Sequence, residues 1–216
     1  HTFCGIDYQM EDQWLTWAKR LQAIASTGLH FGESDFDKER YQDIFTIAND
    51  MLAQLGQLPI KTIVGLAPDS KDGYATPKVD VRGAVFKGDQ ILLVREKLDG
   101  LWTLPGGYAD VCISPSENIE KEVSEEANIQ VKAERLYGLV HKARHEYDMD
   151  SRDFYKLYFL CRQTDSAEPT AGMETLDARF FPLNNLPPLS TGRVIEKHIL
   201  LAAEYLQNPG RPPMFD

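Results

Sequence analysis

The sequence of 216 residues contains 23 Lys and Arg against 33 Asp and Glu, which gives a formal net charge of −10 at pH 7. This acidic balance disfavours a nonspecific nucleic-acid or anionic membrane surface, and an anionic substrate would need help from a metal ion. With 43% apolar and 26% charged residues, the composition excludes collagen-like, coiled-coil and wholly disordered classes. At about 150 residues per domain, the length favours one domain with an appendage.

The three cysteines, Cys4, Cys112 and Cys161, are too few and too scattered for a disulfide framework or a zinc ribbon. No apolar run approaches the roughly 18 residues that span a bilayer, and the first residues lack the charged and apolar regions of a signal peptide. We therefore expect a soluble protein of the reducing cytoplasm, with no membrane and no nucleic-acid partner.

Residues 1–66 carry two helical hydrophobic patterns and are predicted to form a helical N-terminal domain. Gly28 and Gly56 stand where the two helices are expected to end, and Ser34 or Asp35 is expected to start the second. Because so short a hairpin cannot enclose a core, its apolar faces need the rest of the chain or a second copy, and we predict a homodimer.

Residues 76–207 alternate strand and helix patterns and form the predicted main domain, of mixed α/β class. A turn-rich linker at 67–75 precedes it, and residues 208–216 are predicted to be a frayed tail. The predicted strands cover 79–86, 91–94, 136–140, 154–161 and 178–181, and the predicted closing helix covers 194–205.

A loop that enters a helix lies between the second and third predicted strands. Ser114 is a good N-cap, Pro115 suits the first helical position, and Glu117, three residues after Ser114, completes a capping box. The start of this helix is therefore well specified by the local sequence.

Glu122, Glu125 and Glu126 share one face of this helix. Like charges at such spacings destabilise a helix, so the arrangement favours either open solvent or a cation. A solvated acidic face is the plainer interpretation. The window 107–130, however, holds six acidic residues against Lys121 alone, and this density of hard oxygen ligands suits Mg²⁺ or Mn²⁺.

The segment from Gly107 to Ile129 resembles a Nudix box. The box pattern is Gly, five residues, Glu, seven residues, then Arg-Glu-apolar-x-Glu-Glu-x-Gly-apolar, and it is matched in register by Gly107, Glu122, Val123, Glu125, Glu126 and Ile129. Segments at 73–82, 101–107, 180–183 and 186–190 resemble the branch of this family that carries an N-terminal helical domain. The resemblance implies an α/β/α sandwich with a mixed sheet, and hydrolysis of substrates of the ADP-ribose or CDP-choline type.

The resemblance also implies metal-assisted attack of water on a phosphorus of a pyrophosphate, with Mg²⁺ or Mn²⁺ as cofactor and a small nucleotide as substrate. Glu122 and Glu126 are the expected metal ligands, with Glu125 as a third ligand or a proton acceptor and the Gly107 carbonyl completing the shell. Gly106 and Gly107 are expected to contact the substrate.

The remaining candidates are less specific. The sequence does not determine the general base, for which Glu174, ahead of the predicted strand at 178–181, is a candidate; the alternative is an exposed loop acid. Arg82 and His145 are candidate contacts to substrate phosphates, and the alternative for both is a solvent-facing charge.

Three positions depart from the box pattern. Ile113 replaces the first glutamate, Lys121 the arginine and Asn128 the second glycine. In the family this glutamate and arginine are expected to brace the loop against the helix, so their replacement predicts weaker support of the site. Asn128 is milder, because asparagine tolerates the left-handed conformation that ends a helix. An active hydrolase is the favoured interpretation, and the alternative is a weak or inactive Nudix-fold protein that binds or senses a nucleotide.

Overall fold

The computed structural model describes residues 13–55 and 76–216, and the chain divides into two compact units. The first contains the described residues up to Pro77 together with Ala143–Asp153, and the second contains Lys78–Lys142 and Phe154–Asp216. The division before Lys78 falls close to the predicted start of the main domain at residue 76. The segment 143–153 differs from the prediction, because it groups with the helical unit. The predicted linker at 67–75 and Gly56 lie outside the described residues.

The first unit contains two helices, α1 (Gln13–Phe31) and α2 (Asp35–Leu55). They run antiparallel, since Leu15 near the start of α1 packs with Leu52 near the end of α2. In the middle of the pair, the Gln22 side chain donates a 2.6 Å hydrogen bond to Asn49. The predicted helical hairpin is therefore present. Neither these helices nor any other in the described residues is long and apolar enough to span a membrane.

The predicted end of the first helix at Gly28 is wrong, because α1 continues through it to Phe31. The carbonyl of Gly28 accepts a 2.8 Å hydrogen bond from the amide of Gly32, as in a continuing helix. A Cβ at position 28 would lie 2.4 Å from the ring of Tyr41 on α2. This glycine therefore serves a close approach of the second helix and does not end the first.

The second unit is built on a mixed sheet. Its strands are β1 (Lys78–Lys87), β2 (Gln90–Glu96), β3 (Trp102–Thr103), β4 (Val131–His141), β5 (Phe154–Gln163), β6 (Thr175–Pro182) and β7 (Met214–Phe215). The order along the sheet is β3-β2-β1-β5-β4-β7, and β6 pairs with β2. Strand β1 runs parallel to β5 and antiparallel to β2, while β4 and β5 are antiparallel.

Helices α3 (Pro115–Ala127) and α4 (Glu196–Gln207) cover the two faces of this sheet. Alternation along the strands explains the two layers, since successive side chains of a strand point to opposite faces. Val81 of β1 packs in one core cluster with Val123 of α3, whereas Ala84 packs in another with Ile199 of α4. The unit is thus the α/β/α sandwich with a mixed sheet that the sequence led us to expect.

The prediction of a frayed tail at 208–216 is wrong. Strand β7 pairs in parallel with Gly138 and Leu139 of β4. The hydroxyl of Tyr205 donates a 2.9 Å hydrogen bond to the carbonyl of Pro212, and Arg211 pairs with Glu204 at 2.6 Å. These contacts, together with hydrogen bonds from Arg135 to the carbonyls of Asn208 and Pro209, hold the tail against the sheet and against α4.

Candidate active site

The loop between β3 and α3 begins the site, and the helix that follows starts as predicted. Ser114 is the N-cap, and its hydroxyl accepts a 3.3 Å hydrogen bond from the amide of Glu117. The Glu117 carboxylate in turn accepts a 2.9 Å bond from the amide of Ser114. This reciprocal capping box fixes where α3 leaves the loop and therefore which residues occupy each face of the helix.

The loop lies alongside β1 and forms backbone hydrogen bonds with it. The amide of Val81 donates to the carbonyl of Gly107 at 2.9 Å, and the amide of Gly83 donates to the carbonyl of Pro105 at the same distance. Gly106 has a φ of +139°, and a Cβ there would lie 2.0 Å from the carbonyl oxygen of Val81. Only glycine meets both conditions, the left-handed backbone and the close approach.

The three carboxylates of α3 meet this loop in different ways. Glu126 is buried, and its Oε2 accepts a 2.8 Å hydrogen bond from the Gly106 amide. Glu122 is partly buried, and a Cβ at Gly107 would lie 3.0 Å from its Oε2. Glu125 is exposed and pairs with Lys121 at 3.3 Å. The face predicted from helical spacing therefore places two of the carboxylates against the glycine loop.

Burial governs the protonation of these two carboxylates. It raises the pKa of Glu126 to about 8, even though Arg82 and the hydrogen bond from Gly106 oppose the rise. Burial also raises the pKa of Glu122 to about 7, and the rise is opposed by Lys121 and Arg82. Ionising both buried carboxyls side by side is costly, and a cation bound near them would lower that cost.

The carboxylates of Glu122 and Glu126 are chemically suited to bind a divalent cation. Carboxylate oxygens are the ligands that Mg²⁺ and Mn²⁺ prefer, and such an ion would offset the burial of Glu122 and Glu126 as anions. Within residues 13–55 and 76–216, however, no three Asp, Glu, His or Cys side chains already converge as a metal cage. The third carboxylate, Glu125, is turned to Lys121. The Gly107 carbonyl already accepts one hydrogen bond from Val81, so its predicted metal contact stays a prediction.

Arg82 is buried, so the alternative of a solvent-facing charge is wrong for this residue. Its guanidinium makes two 2.9 Å hydrogen bonds to Asp80 and a 3.1 Å bond to the carbonyl of Leu104. The buried Lys156 of β5 donates to the same Asp80 at 2.7 Å. Arg82 therefore supports the backbone that leads into the loop, and its predicted contact to a substrate phosphate stays a prediction.

Two other predicted residues fall in different places. Glu174 is exposed and immediately precedes β6, and its charge contributes to the raised pKa of Glu122, so it lies near the site. His145 is buried in the segment 143–153, which belongs to the helical unit. The predicted contact of His145 to a phosphate stays a prediction.

Comparison with known proteins identifies the fold. Residues 76–202 match the family described as the NUDIX domain. The chain belongs to the Nudix family. Residues 12–66 match a second description, the UDP-X-like N-terminal oligomerisation domain, which agrees with the branch that the sequence resembles.

Several relatives cover most of this Nudix protein. YjhB of Bacillus subtilis, to which ADP-ribose pyrophosphatase activity is provisionally assigned, is 39% identical over 96% of this chain and 99% of its own length. A solved structure of a UDP-X diphosphatase is 32% identical, with a TM-score of 0.61 over 96% of this chain and all of that chain. An ADP-ribose pyrophosphatase from Streptococcus suis is 38% identical, with a TM-score of 0.60 over 65% of this chain and all of its own. This chain is thus a Nudix pyrophosphohydrolase.

The departures from the Nudix box acquire a physical explanation in the structure. Lys121 lies 2.8 Å from the carboxylate of Asp110 in the loop, so the loop and the helix are still joined although Ile113 replaces the glutamate. Asp110, three residues before Ile113, thus gives Lys121 a partner in the loop, and the predicted weakening of the site stays a prediction. Asn128 has a φ of +53°, which confirms the left-handed end of the helix.

Three charged residues near the site, Asp80, Lys156 and Glu96, were not predicted from the sequence. Asp80 and Lys156 lie within predicted strands and form a buried ion pair with each other. A charged residue inside an apolar strand could have indicated such a pair, because a buried charge needs a partner. Glu96, the last residue of β2, adds to the raised pKa of Glu126 and pairs with Arg193 at 3.2 Å. It carries no sequence signal, since a charged residue at a strand end is ordinary.

Proposed function

We propose that this Nudix protein hydrolyses the pyrophosphate bond of a nucleoside diphosphate linked to a second group, of the ADP-ribose or CDP-choline type, with Mg²⁺ or Mn²⁺. The observation that carries the proposal is the placement of two carboxylates with raised pKa, Glu122 and Glu126, against the Gly106–Gly107 loop. The relatives named for ADP-ribose and UDP-X substrates support this substrate class.

Glu122 and Glu126 would hold the metal, with Glu125 and the Gly107 carbonyl as further ligands. A bound divalent ion neutralises phosphate oxygens and lowers the pKa of bound water. The Gly106 amide keeps Glu126 oriented by its 2.8 Å hydrogen bond. Lys121, which bridges Asp110 and Glu125, holds the loop near the helix that carries the carboxylates.

In the proposed reaction a water oxygen bonds to one phosphorus and the bridging P–O bond breaks, which yields a nucleoside monophosphate and a second phosphorylated fragment. Glu174 is our candidate for the group that accepts the proton of the water on a carboxylate oxygen. Glu174 lies between Gly172 and Thr175, which both hydrogen-bond to the carbonyl of Glu126, and this position beside α3 supports the role.

We further propose that the protein is a homodimer joined through its helical unit. The family description of residues 12–66 supports this, and so do exposed apolar side chains such as Ile24 and Ile47. A groove of about 530 Å³ beside Ile24 is lined by Phe31 and Tyr41 as well. Light scattering should give twice the chain mass, and Ile24→Asp should shift the protein to monomer, whereas Leu98→Asp, exposed in the second unit, should not.

Turnover of a nucleotide panel tests the hydrolase. ADP-ribose and CDP-choline are incubated with Mg²⁺, with Mn²⁺ and with chelator, and phosphorylated products are measured. Metal-dependent cleavage is expected, and Glu122→Gln or Glu126→Gln should lower kcat at least about a hundredfold. Glu134→Gln, on the exposed side of β4, is the matched control and should retain full activity.

The same panel distinguishes the alternative. A folded protein that binds these nucleotides but cleaves none of them would contradict the hydrolase and support the weak or inactive nucleotide-binding protein. Ile113→Glu, which restores the first glutamate of the box pattern, would then be the first variant to test for recovered activity.

A further inference from the structure

The segment that leads into β6 is tied to the last turn of α3. The amide of Thr170 donates to the carbonyl of Ala127 at 3.0 Å, and the amide of Gly172 donates to the carbonyl of Glu126 at 3.1 Å. The hydroxyl of Thr175 donates to the same Glu126 carbonyl at 2.7 Å. The final carbonyls of a helix have no hydrogen-bond donor within the helix, and here the segment that leads into β6 supplies the donors.

Asn128 adds a side-chain clamp to these backbone bonds. Its amide nitrogen donates to the hydroxyl of Thr170 at 3.1 Å and to the carbonyl of Ala171 at 2.9 Å. The left-handed backbone at this position would suit glycine equally well. A glycine, however, would have no group to bind the segment, so the amide of Asn128 contributes a contact that the glycine of the box pattern lacks.

The contact between the segment and the helix is close enough to couple them. A Cβ at Gly172 would lie 1.7 Å from the carbonyl oxygen of Glu125 and 2.9 Å from the Cα of Glu126. The backbone of the segment therefore lies directly on the backbone that carries two of the site carboxylates. Beyond Gly172, the Lys97 side chain also donates a hydrogen bond to the carbonyl of Met173.

Glu174 lies inside this clamped segment, between Gly172 and Thr175, both of which bond to Glu126. We propose that Asn128 is a positioning residue that holds the segment 170–175 on the end of α3 and so sets the place of Glu174 relative to Glu122 and Glu126. This inference rests on the proposed function, in which Glu174 accepts a proton. Asn128 acts through Glu174 and does not itself touch the substrate.

The test compares Asn128→Gly in two backgrounds. Asn128→Gly is compatible with the left-handed backbone and removes the side chain with its amide, so the fold should persist. In the wild-type background kcat should fall about tenfold with KM within about twofold, because orientation of the reacting groups is lost. In the Glu174→Gln background the same change should alter kcat by less than about twofold, because the group being positioned is already gone.

A matched control uses the neighbouring side-chain amide. Gln130 donates to the hydroxyl of Ser124 at 2.9 Å, and its side chain makes no bond in the segment 170–175 among the described contacts. Gln130→Ala should leave kcat within about twofold of the wild type. Hydrogen exchange at the Gly172 amide should accelerate in Asn128→Gly and not in Gln130→Ala, which measures the clamp independently of activity.

Three outcomes would overturn the proposal. Asn128→Gly with unchanged kcat would show that the clamp has no effect on the reaction. An equal loss in both backgrounds, or a fully active Glu174→Gln, would show that Asn128 does not act through Glu174, while the hydrolase itself would stand. A wild-type protein that cleaves no nucleotide with metal would instead refute the proposed function, and the exchange of Gly172 would still report whether the clamp exists.

Discussion

The amide of Gly106 donates a 2.8 Å hydrogen bond to Oε2 of Glu126, and this bond joins the loop to the helix at the centre of the site. The two residues are twenty positions apart in the chain, yet each depends on the other. Glu126 is oriented by the amide, and the buried amide of Gly106 gains a hydrogen-bond acceptor that it would otherwise lack.

The backbone at Gly106 should tolerate no side chain. Gly106→Ala would place a Cβ 2.0 Å from the Val81 carbonyl at a φ of +139°, so the free energy of unfolding should fall by about 3 kcal/mol and activity should be lost. Gly88 also has a positive φ, but nothing lies within 4 Å of its Cβ position. Gly88→Ala should therefore lower the free energy of unfolding, measured by urea denaturation, by only about 1 kcal/mol. Equal losses of stability in the two variants would contradict the steric explanation.

The pair between Asp110 and Lys121 should matter more for catalysis than for stability. Both side chains are largely exposed, so Asp110→Asn should change the melting temperature little. It should lower kcat several-fold, because the loop loses its charged contact with Lys121 of α3 and is held there less firmly. Ile113→Glu, which restores the glutamate of the box pattern, should recover the activity of Asp110→Asn by giving Lys121 a new partner. Failure of this second-site rescue would show that the bracing of the loop is not what Asp110 supplies.

The raised pKa values of the site predict a pH dependence of stability without metal. Both carboxyls have folded-state pKa values above 4.5, about 7 for Glu122 and about 8 for Glu126, because burial disfavours their ionised forms. The folded state therefore holds these two protons more tightly than the unfolded chain does. The resulting contribution to the free energy of unfolding is fully present below pH 4.5 and is lost as the pH rises through 7 to 8. In chelator, the wild type should therefore lose melting temperature between pH 5 and pH 9 relative to Glu122→Gln/Glu126→Gln. Parallel melting curves for the two proteins would contradict the assigned pKa values.

Added Mg²⁺ should reverse this effect. At pH 8.5 both carboxylates are largely ionised, and a cation bound between them stabilises the folded state by mass action. The wild type should gain melting temperature with millimolar Mg²⁺, whereas the double glutamine variant should gain none. An equal rise in both proteins would indicate binding elsewhere on the chain.

The buried group of Asp80, Arg82 and Lys156 should be sensitive to loss of its one carboxylate. Asp80→Asn leaves two buried cations beside a neutral amide, and the free energy of unfolding should fall by about 3–5 kcal/mol. Glu168→Gln is the surface control. It breaks the exposed pair with Lys87 and should cost less than about 1 kcal/mol in urea denaturation.

Acid titration gives a second measure of the same group. Burial alone would raise the pKa of Asp80, but Arg82 and Lys156 outweigh it and hold the pKa at about 2, below the ordinary 3.8. The stability that Asp80 contributes is therefore present above pH 3.8 and is lost as the pH falls towards 2. The wild type and Asp80→Asn should converge in stability over that range, and a constant difference down to pH 2 would contradict the ion pairing.

Local sequence by itself determined the start of α3 and the face that carries its acids. The capping box of Ser114 and Glu117 uses groups within one turn, and the spacing of Glu122, Glu125 and Glu126 follows from the helical repeat alone. Runs of apolar residues likewise predicted β1, β2, β4, β5 and β6, whereas the α/β/α layering was expected from the resemblance to the Nudix family. Interactions of such short range are encoded in neighbouring residues, and the sequence is sufficient for them.

Tertiary structure decided what depends on residues far apart in the chain. Gly28 has the sequence context of a helix end, but the ring of Tyr41 uses it for close packing. Arg82 has the appearance of a surface charge, but Asp80 and Lys156 make its burial possible by neutralising and bonding to it. Lys121 finds Asp110 in place of the residue expected at Ile113, and Asn128 finds Thr170 across forty-two positions. Whether a polar side chain is a solvated charge or part of a site depends on which partners the fold brings within hydrogen-bond distance, because burial without a partner is too costly to persist.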